Sequence, residues 1–249
     1  MKPPLPRSTG TRLYCDLPLS PGAEITLPEA AARHAVTVLR LQIDDTLTLF
    51  NGAGGEYSAS LVAVSKRGTR ARLTEFHPAE RESPLKITLA LGISSGERMD
   101  YSLQKATELG VSAIQPLATE RSVVKLAGER ADKRLQHWQH VVIAACEQCG
   151  RNRVPAVAPV QKFFSYLAAV DRSKLLLLLS PDAATPLKRV QAADEVILLI
   201  GAEGGLAPAE YQAAAASGFE PVSLGPRILR TETAPVAALA VLQALWGDS

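Results

Sequence analysis

The stretch VILLIGAEGGLAPAEYQAAAASGFEPVSLGPRILRTETAP, residues 196–235, decides the fold of this chain. It begins with an unbroken apolar run, Val196–Ile200, which Gly201 ends. Such a run is typical of a parallel strand that is covered on both faces. A glycine-rich turn, a helix and a second short strand follow, and this order of elements predicts an α/β fold with a parallel sheet. The carboxyl ends of parallel strands commonly border a binding crevice.

Two loops in this stretch have the composition of a ligand site. In the first, Gly201, Gly204 and Gly205 leave room for the backbone to turn and to approach a ligand closely. The second is GPRILRTET at 225–233, in which arginines flank an apolar pair and a carboxylate precedes a helix. A solvated connection between a strand and a helix has a similar composition, so the pattern alone leaves both interpretations open.

Several motifs resemble those of one known family. IGAEGG at 200–205 and SLGPRILRTETA at 223–234 resemble the carboxy-terminal motifs of the ribosomal RNA small-subunit methyltransferase E family. Further matches are KATELGV at 105–111, EQCGRNRVP at 147–155 and VLR at 38–40, so the resemblance covers nearly the whole chain. It implies a SPOUT-class α/β fold, in which a parallel sheet carries a carboxy-terminal trefoil knot, and an amino-terminal PUA-like β-barrel domain. Periodicity predicts no knot, because general topology rules argue against one.

The resemblance also carries an expected activity. It implies an S-adenosylmethionine-dependent enzyme that methylates N3 of a uridine in 16S ribosomal RNA, with that RNA in the small ribosomal subunit as its partner. It implies a homodimer whose knots abut, and it implies no metal. The chain departs from the family pattern at Ala202, where proline is common, and at Asp44, where glycine is frequent. Neither departure changes the implied function.

The chain divides into two predicted domains that a linker joins. Residues 1–76 read as β-rich, with a helix over 28–41, and the resemblance implies a PUA-like barrel that docks RNA. Residues 77–84 contain two prolines and alternating charges, which is typical of a linker. Residues 85–249 alternate strands and helices, including a long helix over 129–149, and the resemblance implies the SPOUT methyltransferase domain with its knot.

Composition limits the possible classes of protein. Apolar residues make up 47% and charged residues 21% of the chain, which is typical of a soluble globular protein. The net charge of +2 is too small to identify a nucleic-acid binder, so any RNA-binding surface must be local. No apolar run reaches the length of a membrane span, and the start MKPPLPRSTG lacks the apolar core of a signal peptide. We therefore expect a cytoplasmic protein without a membrane partner.

The cysteines raise the question of a zinc or redox site. Cys146 and Cys149 form a CxxC, and His137 and His140 lie just upstream. If residues 129–149 form one helix at about 100° per residue, the histidines face away from the cysteines. The sequence therefore predicts packed thiols and no metal.

A cofactor site is predicted where three strands end. S-adenosylmethionine carries an activated methyl group, so the protein has to bind it and align it with the acceptor. The backbone at these strand ends can bind an adenine and a ribose, and apolar side chains can form the walls. Glu203 either accepts hydrogen bonds from the ribose hydroxyls or caps the following helix. The predicted cofactor-binding residues are Leu179, Ser180, Ile200, Gly201, Ala202, Glu203, Gly204, Gly205, Leu224, Gly225, Ile228 and Leu229.

Methylation of uridine N3 requires that the N3 proton leave, so it needs a base or a group that stabilises the uridine anion. Arg230 is the predicted stabiliser, because a guanidinium can pair with a uracil oxygen that gains negative charge. Glu232 is the candidate base, and its alternative role is an interaction with the helix dipole. Thr231 either orients the base or caps the helix. These three residues are the predicted catalytic group.

Basic residues of the first domain and of the segment EQCGRNRVP are candidates for phosphate contacts. Ordinary solvated charges would give the same pattern, and the arginines after the long helix could instead cross a dimer interface. The predicted RNA-binding residues are Arg7, Arg12, Arg40, Arg70, Arg72, Arg151 and Arg153.

Two other functions stay open beside uridine N3 methylation. One is a related SPOUT enzyme that methylates ribose 2′-hydroxyls, which the complete RILRTETA match disfavours. The other is a non-catalytic protein that binds RNA or phosphate. The pattern disfavours a nucleotidase or dehydrogenase, because GAEGG lacks the Lys-Ser/Thr of a P-loop and the spacing of a dinucleotide fingerprint.

Overall fold

The computed structural model describes residues 10–65, 68–122 and 128–249, which form two compact units. The first unit contains the described residues up to Glu82 together with Cys146–Val154. The second contains the described residues of Ser83–Ala145 together with Pro155–Ser249. The predicted domain boundaries differ from these units chiefly because the segment Cys146–Val154 packs in the first unit.

The described part of the first unit is built on one five-stranded sheet in the order β1-β3-β4-β5-β2. Strands β1 and β3 run parallel, and the other pairs are antiparallel. The helix predicted over 28–41 is shorter, because α1 passes into a π-helical turn at His34–Val38. The elements are β1 Thr11–Tyr14, β2 Glu24–Thr26, α1 Glu29–Arg33, β3 Thr46–Phe50, β4 Glu56–Ser65 and β5 Gly68–His77.

Alternation along β5 shows how the sequence forms this sheet. Ala71 and Leu73 are buried in the core of the first unit, whereas Arg70 and Arg72 between and beside them are exposed. Asp44, at the position where the resemblance expects glycine, has φ +73°. Glycine adopts this left-handed region without steric cost, and aspartate tolerates it better than most residues.

The second unit is an α/β unit whose described strands form a seven-stranded sheet with only parallel pairs. The strand order is β12-β10-β11-β6-β7-β8, and β9 also pairs with β7. Its strands are β6 Lys86–Gly92, β7 Ala113–Ala118, β8 Ala156–Val157, β9 Gln161–Lys162, β10 Leu175–Leu179, β11 Glu195–Ile200 and β12 Glu220–Val222. The α-helices after α1 are α2 Gly96–Glu108, α3 Glu129–Cys149, α4 Phe163–Ala169, α5 Pro208–Ala216 and α6 Thr233–Trp246.

Strand β11 lies inside this sheet, and its apolar run is buried as the sequence predicts. Val196 pairs with Leu175 of β10 on one side and with Ile87 of β6 on the other. Strand β12 pairs with the other edge of β10. Because β12, β10 and β11 are parallel neighbours, their carboxyl ends meet at one edge of the sheet.

A buried ionic network holds the segment Cys146–Val154 in the first unit. The Arg12 guanidinium donates to Glu56 Oε2 at 2.5 Å and to Asn152 Oδ1 at 2.7 Å. Arg81 Nη1 donates to the same Glu56 oxygen at 3.1 Å. Two guanidinium groups therefore share one carboxylate, and Arg12 joins β1 both to β4 and to the segment.

Two arginines predicted to contact RNA belong to buried ion pairs instead. Arg12 is 8% exposed and Arg151 is 4% exposed. Arg151 Nε donates to Glu82 Oε1 at 2.9 Å. A buried guanidinium that already binds a carboxylate offers no open face to a phosphate, so the prediction of an RNA contact is wrong for both residues.

Replacing Glu56 by glutamine is expected to lower the free energy of unfolding of the first unit by about 3 kcal/mol at pH 7, because two guanidinium groups lose their buried counter-charge. Burial acts to raise the pKa of the Glu56 carboxyl, but hydrogen bonds from Arg12 and Arg81 outweigh it and lower the pKa. A carboxyl with a lowered folded pKa stabilises the fold above its unfolded pKa, about 4.3, and this stabilisation is lost as pH falls through the folded value. The difference in free energy of unfolding between wild type and Glu56→Gln therefore becomes smaller below about pH 4.

Hydrogen exchange of the β3 and β4 amides measures this free energy in the first unit alone. Glu24→Gln is the matched control, because Glu24 pairs with Arg70 at a site where the arginine side chain is 55% exposed. An exposed pair contributes only about 0–1 kcal/mol. Equal losses in the two variants would contradict the role of the buried network.

Candidate active site

A cavity of about 310 Å³ lies where β10, β11 and β12 end. Small-molecule sites commonly have volumes of about 300–1,000 Å³. All the residues predicted to bind the cofactor line this cavity, although their role as cofactor ligands stays a prediction. These lining residues are Leu179, Ser180, Ile200, Gly201, Ala202, Glu203, Gly204, Gly205, Leu224, Gly225, Ile228 and Leu229. The wall also contains Pro181, Arg227, Thr231 and Ala234, of which only Thr231 was among the predicted site residues.

The loop GAEGG after β11 is a tight turn that leaves no room for side chains at its base. The Gly205 N–H donates to the Ala202 carbonyl at 2.8 Å, and Gly205 has φ +69°. A Cβ at Gly201 would lie 2.6 Å from the carbonyl carbon of Gly205. Glycine at 201 is therefore required by the close approach of two backbone segments.

A second segment forms hydrogen bonds with this turn and with the helix after it, and the sequence did not predict these contacts. Arg121 Nη1 donates to the Gly204 carbonyl at 2.7 Å. The buried Glu210 carboxylate accepts from the backbone N–H of Glu120 at 2.8 Å and from that of Ala207 at 2.9 Å. Pro208 at the first position of α5 is a recognisable sign of a helix start. The partner on the other loop had no such sign in the sequence.

The loop after β12 presents an apolar and a basic side chain. Ile228 is 85% exposed, although it lies in the cavity wall. Arg230 is exposed, and among the described residues its guanidinium has no hydrogen-bonded or ionic partner. Its backbone carbonyl accepts from the N–H groups of Thr233 and Ala234, both at 2.9 Å, and so begins α6. Arg230 does not line the cavity, but Leu229 and Thr231 on either side do.

Several carboxylate and hydroxyl oxygens at this site are buried without a donor. Within the described residues, Glu203 Oε2, Thr231 Oγ1 and Glu232 Oε2 have no hydrogen-bond partner. Buried polar atoms are nearly always paired, so oxygens of this kind indicate a place for a polar ligand. Neither Thr231 nor Glu232 caps α6 through a side-chain hydrogen bond.

Glu203 is only partly free to bind a ligand. Its Oε1 accepts from the backbone N–H of Ser95 at 2.8 Å. Burial acts to raise the pKa of the Glu203 carboxyl, but hydrogen bonds from Ser95 and the charge of Arg98 outweigh it and lower the pKa. The carboxylate is therefore ionised at neutral pH, and Oε2 is the oxygen left to accept a hydrogen bond from a ligand.

Arg98 is a further charged residue of this site that the sequence analysis did not identify. Its Nη1 lies 3.6 Å from Glu203 Oε1, and its Nε lies 3.7 Å from Glu232 Oε2. One guanidinium from the first turn of α2 therefore stands between two carboxylates of two different loops.

The other predicted RNA-binding residues differ in whether their side chains pair with a carboxylate. Arg7 lies outside the described residues. Arg40 is exposed, with φ +57°. Arg70 and Arg72 are exposed, and both pair with Glu24. Arg153 is 55% exposed along its side chain and lies 3.4 Å from Glu80. Whether these side chains contact RNA stays a prediction.

The described residues contain no group of three or more His, Cys, Asp or Glu side chains placed to hold a metal ion. Burial raises the pKa of Cys146 to about 12. Its thiol is therefore protonated at neutral pH, which does not favour metal binding or redox chemistry. In the part of the chain that the structure describes, no helix is long and apolar enough to cross a membrane.

Family models of RNA methyltransferase domains match both units. Residues 81–243 match the family described as RNA methyltransferase domain, and residues 27–73 match the RNA methyltransferase PUA domain. A ribosomal RNA small subunit methyltransferase E from Buchnera aphidicola is 32% identical over 238 residues, which are 95% of this chain and 97% of the relative. The enzyme of the same name from Synechocystis is 38% identical over 229 residues, which are 90% of this chain and 74% of the relative.

One solved structure combines this similarity with a bound cofactor. It is the ribosomal RNA small subunit methyltransferase E from Neisseria gonorrhoeae bound to S-adenosyl methionine. It is 43% identical, has a TM-score of 0.89, and the match covers 96% of this chain and 99% of that chain. These matches confirm the predicted α/β fold with a parallel sheet and an amino-terminal PUA-like domain.

Proposed function

We propose that this chain, which belongs to the ribosomal RNA small subunit methyltransferase E family, methylates N3 of a uridine in 16S ribosomal RNA with S-adenosylmethionine. The single observation that carries this proposal is the cavity, which gathers the ends of three parallel strands around a glycine-rich turn. Among the described residues, the cavity-lining Thr231 and its neighbour Glu232 each have a buried oxygen without a donor, and the open guanidinium of Arg230 follows the cavity-lining Leu229.

The residues present fit the cofactor. An added Cβ at Gly205 or Gly225 of the cavity wall would meet no atom within 4 Å, so a flat ring can approach the backbone there, and backbone groups at strand ends can bind an adenine edge. Leu179, Ile228 and Leu229 supply apolar walls. Glu203 Oε2, which is buried without a donor among the described residues, suits a ribose hydroxyl. S-adenosylmethionine would supply a methyl group on a sulfonium, which passes to the acceptor nitrogen as the carbon–sulfur bond breaks.

In the proposed reaction, Arg230 and Glu232 act on the uracil. Uracil N3 loses its proton to the Glu232 carboxylate, and the N3 electron pair forms the bond to the methyl carbon. Negative charge on the uracil oxygens is stabilised by the Arg230 guanidinium, which no described carboxylate neutralises. Thr231 lies between these two residues in the sequence and lines the cavity. Its hydroxyl, unpartnered among the described residues, would orient the uracil or the carboxylate.

The remaining parts of the proposal concern RNA binding and assembly. We assign phosphate contacts to four exposed cations, which are Arg40, Arg70, Arg72 and Arg153. The RNA partner is the small ribosomal subunit, and the location is the cytoplasm. We further infer a trefoil knot and a homodimer. Pairing between the segment after β10 and the segment after β12 supports the knot, because the Leu187 N–H donates to the Ser223 carbonyl. The homodimer is inferred from the family resemblance alone.

Transfer of labelled methyl groups tests this function against non-catalytic RNA binding. The protein is incubated with S-adenosylmethionine labelled in the methyl group and with small ribosomal subunits from a strain that lacks the enzyme. We expect label in 16S ribosomal RNA. Binding to the subunits without transfer of label would reject the enzyme and favour the RNA-binding alternative.

A further inference from the structure

Arg98 is the cation that faces the proposed base. Its guanidinium lies 3.7 Å from Glu232 and 3.6 Å from Glu203, and its own side chain is 45% exposed. The two carboxylate side chains are less exposed, at 21% for Glu232 and 17% for Glu203. One positive charge is therefore shared by two partly buried negative charges.

The two carboxylates depend on Arg98 to different degrees. Glu203 keeps a hydrogen bond from the Ser95 N–H at 2.8 Å, which holds it whether or not Arg98 is present. Glu232 Oε2 is buried and has no hydrogen bond from any described residue. Arg98 supplies the one ion pair that the described structure gives Glu232. Removal of Arg98 therefore leaves Glu203 held and Glu232 without a partner.

The distance between Arg98 and Glu232 suits a base better than a tight salt bridge would. At 3.7 Å the Nε atom attracts the carboxylate but is too far away to donate a hydrogen bond to it. The lone pairs of the carboxylate stay available to accept a proton. A cation this close still opposes rotation of the Glu232 side chain away from its buried position.

We propose that Arg98 is a positioning residue that holds the Glu232 carboxylate toward the acceptor base while leaving its lone pairs free. This inference rests on the proposed function, in which Glu232 accepts the N3 proton. Arg98 itself does not touch the reacting atoms in this assignment. A direct contact between the exposed side of Arg98 and an RNA phosphate is the other role that its position allows.

Rates of single-turnover methyl transfer in a set of double variants separate these roles. Arg98→Ala is measured in the wild-type background, in the Glu232→Gln background and in the Glu203→Gln background. We expect a loss of about tenfold or more in the wild-type and Glu203→Gln backgrounds, because a misplaced base costs this much. In the Glu232→Gln background we expect less than about a twofold effect, because Arg98 then has no base to position.

Arg98→Lys keeps a cation without the planar guanidinium, and we expect a smaller loss than for Arg98→Ala, because the contact is ionic and not hydrogen-bonded. Circular dichroism checks that each variant is folded, and S-adenosylmethionine is kept saturating in every background because Glu203 is assigned to the cofactor site. Equal losses in all three backgrounds would overturn the inference, and so would an Arg98→Ala effect confined to KM for the subunits. An inactive wild type would reject the proposed function itself, which distinguishes the two failures.

Discussion

Arg230→Ala is expected to lower kcat for methyl transfer by about 10²- to 10³-fold, the usual effect of removing one donor from an anion-stabilising site. Its guanidinium is exposed and, among the described residues, unpartnered, so nothing in the folded chain compensates for its loss or needs it for stability. In the proposed reaction, removal of the Arg230 charge acts on the transition state, where the uracil oxygens gain charge. Single-turnover rates with small ribosomal subunits measure this effect.

Two controls accompany Arg230→Ala. Affinity for S-adenosylmethionine is expected to stay close to that of wild type, because Arg230 does not line the cavity. Arg172→Ala removes another exposed arginine of the second unit, which precedes β10 and so lies at the opposite end of that strand from the cavity. It is expected to keep the wild-type rate. Equal rates in Arg230→Ala and wild type would rule out a catalytic role for Arg230.

Gly201→Ala is expected to weaken binding of S-adenosylmethionine by about 10- to 100-fold, since strain from an added methyl group costs about 1–3 kcal/mol. The added Cβ would lie 2.6 Å from the Gly205 carbonyl carbon and 2.8 Å from the Leu206 nitrogen. These are backbone atoms of the same turn, which cannot move aside as a side chain can. The turn has to open, and its groups leave the cavity wall.

Titration calorimetry measures the binding, and circular dichroism confirms that the variant is folded. Gly96→Ala is the matched control, because a Cβ at Gly96 would have no atom within 4 Å. The control is expected to bind S-adenosylmethionine as wild type does. Unchanged affinity in a folded Gly201→Ala protein would mean that the GAEGG turn is not part of the cofactor site.

The parallel sheet and the lining of the cavity could be predicted from the sequence because their signals are local. The apolar run before Gly201 marks a buried strand, and the glycines mark the turn at its end. Parallel strands end at a common edge, so residues that follow β10, β11 and β12 in the sequence meet in one cavity. The long helix α3 has the bounds Glu129–Cys149 that its periodicity predicts.

The ionic contacts could not be predicted, because they join residues that are far apart in the chain. Arg98 and Glu232 meet only after α2 and the loop before α6 are placed. The sequence predicts a surface position for Arg12, since charged residues on strands are usually solvated. Its burial depends on Glu56 and Asn152, which no local pattern connects with it. Strand β2 has only three residues, which are too few for their alternation to predict a strand.

Methylation at uridine N3 is tested most directly by mass spectrometry of nucleosides. Small ribosomal subunits that lack the methyl group are treated with the protein and S-adenosylmethionine, and their 16S ribosomal RNA is digested to nucleosides. We expect one new nucleoside that co-elutes with N3-methyluridine and has its fragment mass, in which the methyl group stays on the base. A methyl group on the ribose fragment, or no methylated nucleoside despite bound S-adenosylmethionine, would contradict the proposed function.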